Sequence, residues 1–166
     1  MATNVQMAAL VKVVPAAQTT ARMWKVPASV TLAQWIFEST WGTSQLARQA
    51  NNFFGIKRTG NDAYMEFPTH EVVRGRSVAE MAEFERYGTP VDSFAAHAHL
   101  LESLPRYAPC MAVAGDARAF AMQLGPCGYS TTPQYGEELV GAMKDYGLEQ
   151  YDTPPPAQPA AAQEAA

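Results

Sequence analysis

Cysteine is scarce in this chain. The two present, Cys110 and Cys127, are too few for a disulfide framework, and no Cys or His spacing resembles a zinc site. They leave two readings open: a pair joined in an oxidising compartment, or two small buried hydrophobes. His97 and His99 stand two apart, so on a helix they point to different sides and cannot chelate one metal. They read as structural or surface residues, and neither a metal nor a cofactor is expected. Long apolar runs are also missing. None approaches the roughly 20 residues that cross a bilayer, so no membrane span is expected. The opening MATNVQMAALVKVVPAAQ lacks the basic start, long apolar core and cleavage-like end of a secretory signal. No basic run with interleaved aromatics points to nucleic acid.

What is present describes one globular domain. Hydrophobic residues make up 48% and charged residues 17% of 166 positions, enough for a real core and unlike a disordered chain. Net charge is -4 but uneven: residues 1–61 hold six Lys/Arg against one acid, and residues 62–166 hold six against fifteen. That asymmetry reads first as a solvated acidic surface, and second as a means of orienting on a charged polymer.

The centre of the sequence is Val30–Lys57, VTLAQWIFESTWGTSQLARQANNFFGIK. Ser29 is a candidate N-cap, and Val30, Ala33, Ile36 and Phe37 recur at helical spacing. Leu32 and Trp35 make the other side apolar, so this helix should be buried on most of its surface. One carboxylate, Glu38, stands in that apolar run, which Gly42 ends. The negative end of the helix dipole and water stripped away by Phe37 and Trp41 both work against its ionised form. A carboxyl kept protonated near neutral pH is what a general acid requires.

Taken in order, the pattern predicts an amphipathic segment over Val5–Val14, then a second helix from Pro15 to Lys25, broken by Val26-Pro27. Ser44 should cap a short helix before Asn51-Asn52, with a loop through Gly60. Tyr64–Val73 and Ser77–Tyr87, joined across Arg74-Gly75, read as a β-hairpin, with a bulge in the second arm. Thr89-Pro90-Val91-Asp92 opens a helix with a capping box, Asp116 can cap ARAFAMQL, and Thr132-Pro133 should start QYGEELVGAMKDY, which Gly147 ends. Thr153–Ala166 has no core-forming residues and reads as a flexible Pro/Ala-rich tail beyond a domain of residues 1–152.

The ordered set Leu32-Ala33-Gln34, Glu38-Ser39, Trp41-Gly42, Ser44, Leu46-Ala47, Asn51-Asn52 and Phe54-Gly55-Ile56-Lys57 resembles the signature of N-acetylglucosaminidases of glycoside hydrolase family 73. That family includes the wall-cutting domain of the flagellar rod protein and many autolysins. The resemblance continues through Phe67-Pro68-Thr69-His70-Glu71 with Val73-Arg74-Gly75, through Phe84, Arg86 and Tyr87, and through Gly128-Tyr129-Ser130-Thr131 with Pro133 and Tyr135-Gly136. Ser130, Thr132 and Gly136 depart from the family's Ala, Asp and Ala.

It implies an α+β, mostly α, lysozyme-like fold, with a helical lobe and one hairpin flanking a cleft. It further implies cleavage of the β-1,4 bond between N-acetylglucosamine and N-acetylmuramic acid in peptidoglycan. In that chemistry the leaving oxygen is protonated and an oxocarbenium-like centre is captured by water. Glu38 fits the acid and Glu71 the second carboxylate, which activates water or stabilises charge. Tyr129 would orient the sugar, while Trp41, Asn52, Phe54 and Tyr135 would bind substrate. Retention, inversion and assistance by the substrate's N-acetyl group all stay open. So do two alternatives: a muramidase or lytic transglycosylase acting on the same polymer, and a non-catalytic wall-binding or assembly module. The expected partner is the peptidoglycan glycan strand. Such a hydrolase without a signal would reach the wall by lysis, on a particle, or through dedicated export machinery.

Overall fold

The computed structural model describes residues 2–73 and 76–152, leaving residues 153–166 and the side chains of residues 70–77 outside the described set. The tail, the Arg74-Gly75 turn and the Glu71 side chain therefore lie outside the described residues. The architecture is mostly helical with one two-stranded antiparallel hairpin, in line with the sequence.

Helix α2 (Ala28–Ser39) is the element on which the body packs. Ten of its twelve residues are buried, Phe37 and Glu38 being the exceptions. Helix α1 (Asn4–Trp24), helix α6 (Ala117–Leu124), helix α7 (Tyr135–Asp145) and the 3-10 turn Leu148–Tyr151 all lie against it. Together they enclose Leu10, Leu32, Trp35, Phe120, Leu139 and Met143. Side chains of this size contribute about 1.5–3 kcal/mol each when fully buried, so the place of α2 is strongly determined. Gly136 lets α7 lie close on α6, since a Cβ there would stand 2.9 Å from the Met122 Cα. This departure from the family pattern thus has a packing reason.

Helices α1 and α2 start differently from expectation. Helix α1 runs unbroken through Pro15, and Thr3 with Gln6 forms its capping box. Leu10, Val13, Val14, Ala17 and Thr20 continue one buried face across the proline, which itself points to solvent. The cost of the missing N–H is offset by that face. Ser29 is not the N-cap of α2, because the cap is Pro27 and the helix starts at Ala28, two residues earlier than expected. The Asp152 carboxylate accepts from the Ser29 amide at 2.8 Å and from its hydroxyl at 2.5 Å. An acid from the far end of the domain thus fills the N-terminal position, where negative charge is favoured.

Helix α3 (Gln45–Ala50) is capped by Ser44, as predicted. The hairpin follows as β1 (Tyr64–Val73) and β2 (Arg76–Glu85), in continuous register from Tyr64↔Glu85 to Val73↔Arg76. The predicted bulge is absent. With no extra residue in the strand, Met81 stands on the face of the arm opposite Ala82 and Phe84, beside Glu83, and stays exposed. There Phe67 and Phe84 close over Ala50. Residues 56–58 also join β2: Glu85 donates its amide to Ile56 O, and Arg58 donates its amide to Glu83 O.

Helix α4 (Pro90–Ser103) carries the predicted Thr89/Asp92 capping box, and Asp116 caps α6 through the amides of Arg118 and Ala119. The 3-10 turn Pro105–Tyr107 and the short helix α5 (Ala108–Met111) have no counterpart in the sequence reading. Helix α7 begins at Tyr135, two residues later than Pro133. Cys110 and Cys127 are both free thiols. No helix among the described residues is long and apolar enough to cross a membrane.

Candidate active site

The end of α2 is a tightly fixed turn. Thr40, Trp41 and Gly42 all have positive φ, at 51°, 58° and 75°. For a Thr and a Trp this conformation is costly and has to be held by its surroundings. The holding is done by Ser39, whose hydroxyl donates to Trp35 O and accepts from the Gly42 amide at 2.7 Å. The Ser44 amide bonds Ser39 O, and Gly42 lies so close to Trp35 that a Cβ would meet the indole at 3.1 Å. Glu38, one residue before this clasp, therefore has a fixed backbone.

Its side chain opens into a cleft of about 350 Å³ lined also by Phe54, Ile56, His97, Arg106, Tyr107 and Tyr129. The carboxylate accepts a 2.8 Å hydrogen bond from the Tyr135 hydroxyl, which in turn receives Gln34 Nε2 at 3.4 Å. Although the cleft leaves Glu38 open to solvent, its walls remove enough water to raise its pKa above the usual carboxylate value. The bond from Tyr135 works the other way, and desolvation is the larger effect. Beside it Phe37 is 43% exposed, and Trp41 packs edge-on against Trp35 and Tyr146.

The cleft floor is aromatic. Tyr129 stacks on Tyr135 with ring centres 5.5 Å apart, and Tyr107 lies beside it at 6.1 Å. Burial lifts the Tyr129 hydroxyl well above its ordinary value, so it stays a neutral hydrogen-bonding group. Phe54 is held between Phe94 and His97. The Arg106 guanidinium covers the Tyr107 ring at 4.6 Å.

Of the residues singled out in the sequence, the structure brings Glu38, Tyr129, Tyr135 and Phe54 together at the cleft or directly behind it. Asn52 is buried to the side: its Nδ2 donates to Ile56 O and Glu85 O, and its Oδ1 accepts from the Ile56 amide. It thereby ties the cleft wall to β2. Trp41 is partly buried, packed against the core behind the turn, and is not among the residues lining the cleft. Glu71 is on β1 opposite Val78, two pairs from the outer end of the hairpin, with its side chain outside the described residues.

Sequence reasoning missed Gln34, Arg106, Tyr107 and the place of His97. Gln34 had a signal, being a polar residue in an apolar helix one turn before Glu38. A larger hollow of about 540 Å³ lies elsewhere, between residues 21–28 and 111–117, and its lining carboxylate, Asp152, is committed to Ser29. No group of three or more His, Cys, Asp or Glu that could hold a metal occurs among the described residues.

The model of the glucosaminidase family, described as mannosyl-glycoprotein endo-beta-N-acetylglucosaminidase, matches residues 14–148. The chain belongs to this family of glycoside hydrolases. Exo-glucosaminidase LytG of Bacillus subtilis is 34% identical over 141 residues, covering 82% of this chain and 50% of that protein. A probable N-acetylmuramidase of Lactococcus lactis is also 34% identical, over 130 residues, covering 75% of this chain and 30% of its own length. The chain thus spans half or less of these curated relatives. Among solved structures, the catalytic domain of the Listeria monocytogenes autolysin Auto superposes with a TM-score of 0.80 at 23% identity, over 91% of this chain and 89% of its own; this likeness concerns the fold. The glycoside hydrolase domain of Salmonella typhimurium FlgJ, C-terminally truncated, gives 0.71 at 28% identity, over 86% of this chain and 97% of its own. The glucosaminidase match covers Glu38, the hairpin and both stacked tyrosines.

Proposed function

We propose that this chain hydrolyses the β-1,4 glycosidic bond between N-acetylglucosamine and N-acetylmuramic acid in peptidoglycan, with Glu38 as general acid. The observation that carries the reading is the Glu38 carboxyl itself: it lies in a cleft, is desolvated toward its protonated form and is fixed by Tyr135.

Glu38 gives its proton to the leaving oxygen as the bond from the anomeric carbon breaks. The oxocarbenium-like sugar then takes hydroxide from water, and the remaining proton returns to the enzyme's acid or to solvent. Glu71, from the hairpin, activates that water or stabilises the charge; the substrate's N-acetyl oxygen is the alternative nucleophile. Tyr129 orients the sugar and Phe54 packs on it. Tyr135 holds the acid, while Asn52 and Trp41 brace the loop and the turn on either side. The substrate puts the activity outside the cytoplasm.

Mass spectrometry of a muropeptide digest tests the bond. Reducing-end N-acetylglucosamine is the expected product. Reducing-end muramic acid would replace this reading with the muramidase one, which the muramidase-named relative at 34% identity favours. An anhydro product would indicate a lytic transglycosylase, and no released product a binding module.

A further inference from the structure

Helix α4 buries Ser93, Phe94, His97, Ala98 and Leu101 on one face. The two polar members of that face differ. Ser93 accepts from the Phe53 amide at 3.1 Å, whereas neither ring nitrogen of His97 has a hydrogen-bond partner among the described residues. His97 is 1% exposed, yet its ring forms part of the cleft wall beside Glu38. One face stacks on Phe54 at 4.0 Å, nearly parallel, and Tyr129 stands edge-on at 6.0 Å.

A hydrocarbon ring of the same shape would satisfy that stack without burying two polar atoms. Buried groups of this kind are normally paired, and leaving one unmade is costly. Both nitrogens are themselves shielded in this structure, so meeting a ligand in the cleft requires the imidazole to turn about its outer torsion.

We propose that His97 is a substrate-positioning residue, whose ring nitrogens take their hydrogen bonds from the acetamido group of an N-acetylated sugar seated beside Glu38. The chemistry of the pair is matched. Burial lowers the His97 pKa to about 3, so the ring stays neutral, with one donor and one acceptor. An acetamido group also offers one of each. A carboxylate or an ammonium would leave one nitrogen of the neutral ring opposed by the wrong partner. The inference rests on the glycan reading of the cleft and adds to it what discriminates the N-acetyl substituent.

The test compares intact wall with chemically de-N-acetylated wall, using the full chain. His97→Phe keeps the stack and removes both nitrogens, so it should melt at or above the wild-type temperature. On intact wall its KM should rise about thirtyfold, the effect of losing two neutral hydrogen bonds, with kcat within threefold. On de-N-acetylated wall the two proteins should be nearly alike. His97→Phe that matches wild type on intact wall, or loses equally on both walls, overturns the proposal. A second measurement needs no variant: the 15N resonances of the wild-type His97 ring should shift when a tetramer of N-acetylglucosamine binds, and not with its de-N-acetylated counterpart. Binding without a shift also overturns it. If the wild type neither cleaves wall nor binds either tetramer, the glycan reading of the cleft fails, and this inference with it.

Discussion

In the helical body, Glu38 ends a helix with ten of its twelve residues buried, and its backbone is clasped by the Ser39 hydroxyl. Glu71 belongs instead to a hairpin whose apolar anchor is Ala50, Phe67 and Phe84 at its base. Farther along the arm, Val78 and Met81 are exposed. One carboxylate is thus set by a continuous core and the other by a two-stranded arm with a small satellite cluster. The named influences on the acid's protonation, burial and the Tyr135 hydroxyl, both belong to the helical body. It follows that mutations in the two regions should separate stability from activity.

The largest expected effect is on the acid. Glu38→Gln should lower the rate of wall cleavage at least about a hundredfold, the lower end for loss of acid catalysis. Glu71→Gln should also be severe, but milder if the N-acetyl oxygen of the substrate is the nucleophile. Turnover of purified wall by the folded variants measures both.

Next comes the contrast between body and arm. Leu32→Ala, in the buried heart of α2, should cost about 2–5 kcal/mol and lower the melting temperature by roughly 5–15 °C. Phe84→Ala should lower it less but reduce kcat/KM more than Leu32→Ala does at a temperature where both are folded. Equal coupling of stability and activity in the two variants would dissolve the distinction between the regions.

Stability should also depend on pH through Glu38. Its raised pKa means that the folded state holds this proton more tightly than the unfolded chain. Stability is therefore lost as pH rises from the ordinary value of 4.5 through the raised one. Glu38→Gln escapes that loss, so its melting temperature should exceed that of wild type above this window and match it in acid. Smaller still is Glu83→Gln on the same hairpin. Its bond to Arg58 at 2.8 Å lies at the surface, where such pairs add little to stability, and activity should be near normal. Removing Thr153–Ala166 while keeping Asp152 should change least, in both melting and turnover.

The parts legible in the sequence are those with local causes. Ser44, Thr89 with Asp92, and Asp116 mark their helices because a cap acts within three residues. Glu38 stood out as an acid in an apolar helix. What stayed hidden depends on groups distant along the chain. Tyr135 reaches Glu38 across 97 positions, and Asp152 reaches Ser29 across 123. Neither partner is implied by its own neighbours. Pro15 misled for a related reason: its local breaking tendency is overruled by the buried face on either side. Met81 invited a bulge because its odd spacing from Phe84 would need one for the two apolar residues to share a covered face, whereas the unbroken register leaves Met81 on the outer face.

The most direct test of Glu38 as a general acid is a 13C titration of its carboxyl, assigned by comparison with Glu38→Gln. The midpoint should lie above 4.5 and coincide with the alkaline limb of the kcat/KM profile. In Tyr135→Phe, which removes the bond favouring the ionised form, both should move further upward together. A midpoint at or below 4.5, or an alkaline limb that stays in place while the midpoint moves, would contradict the role of Glu38 as the proton donor.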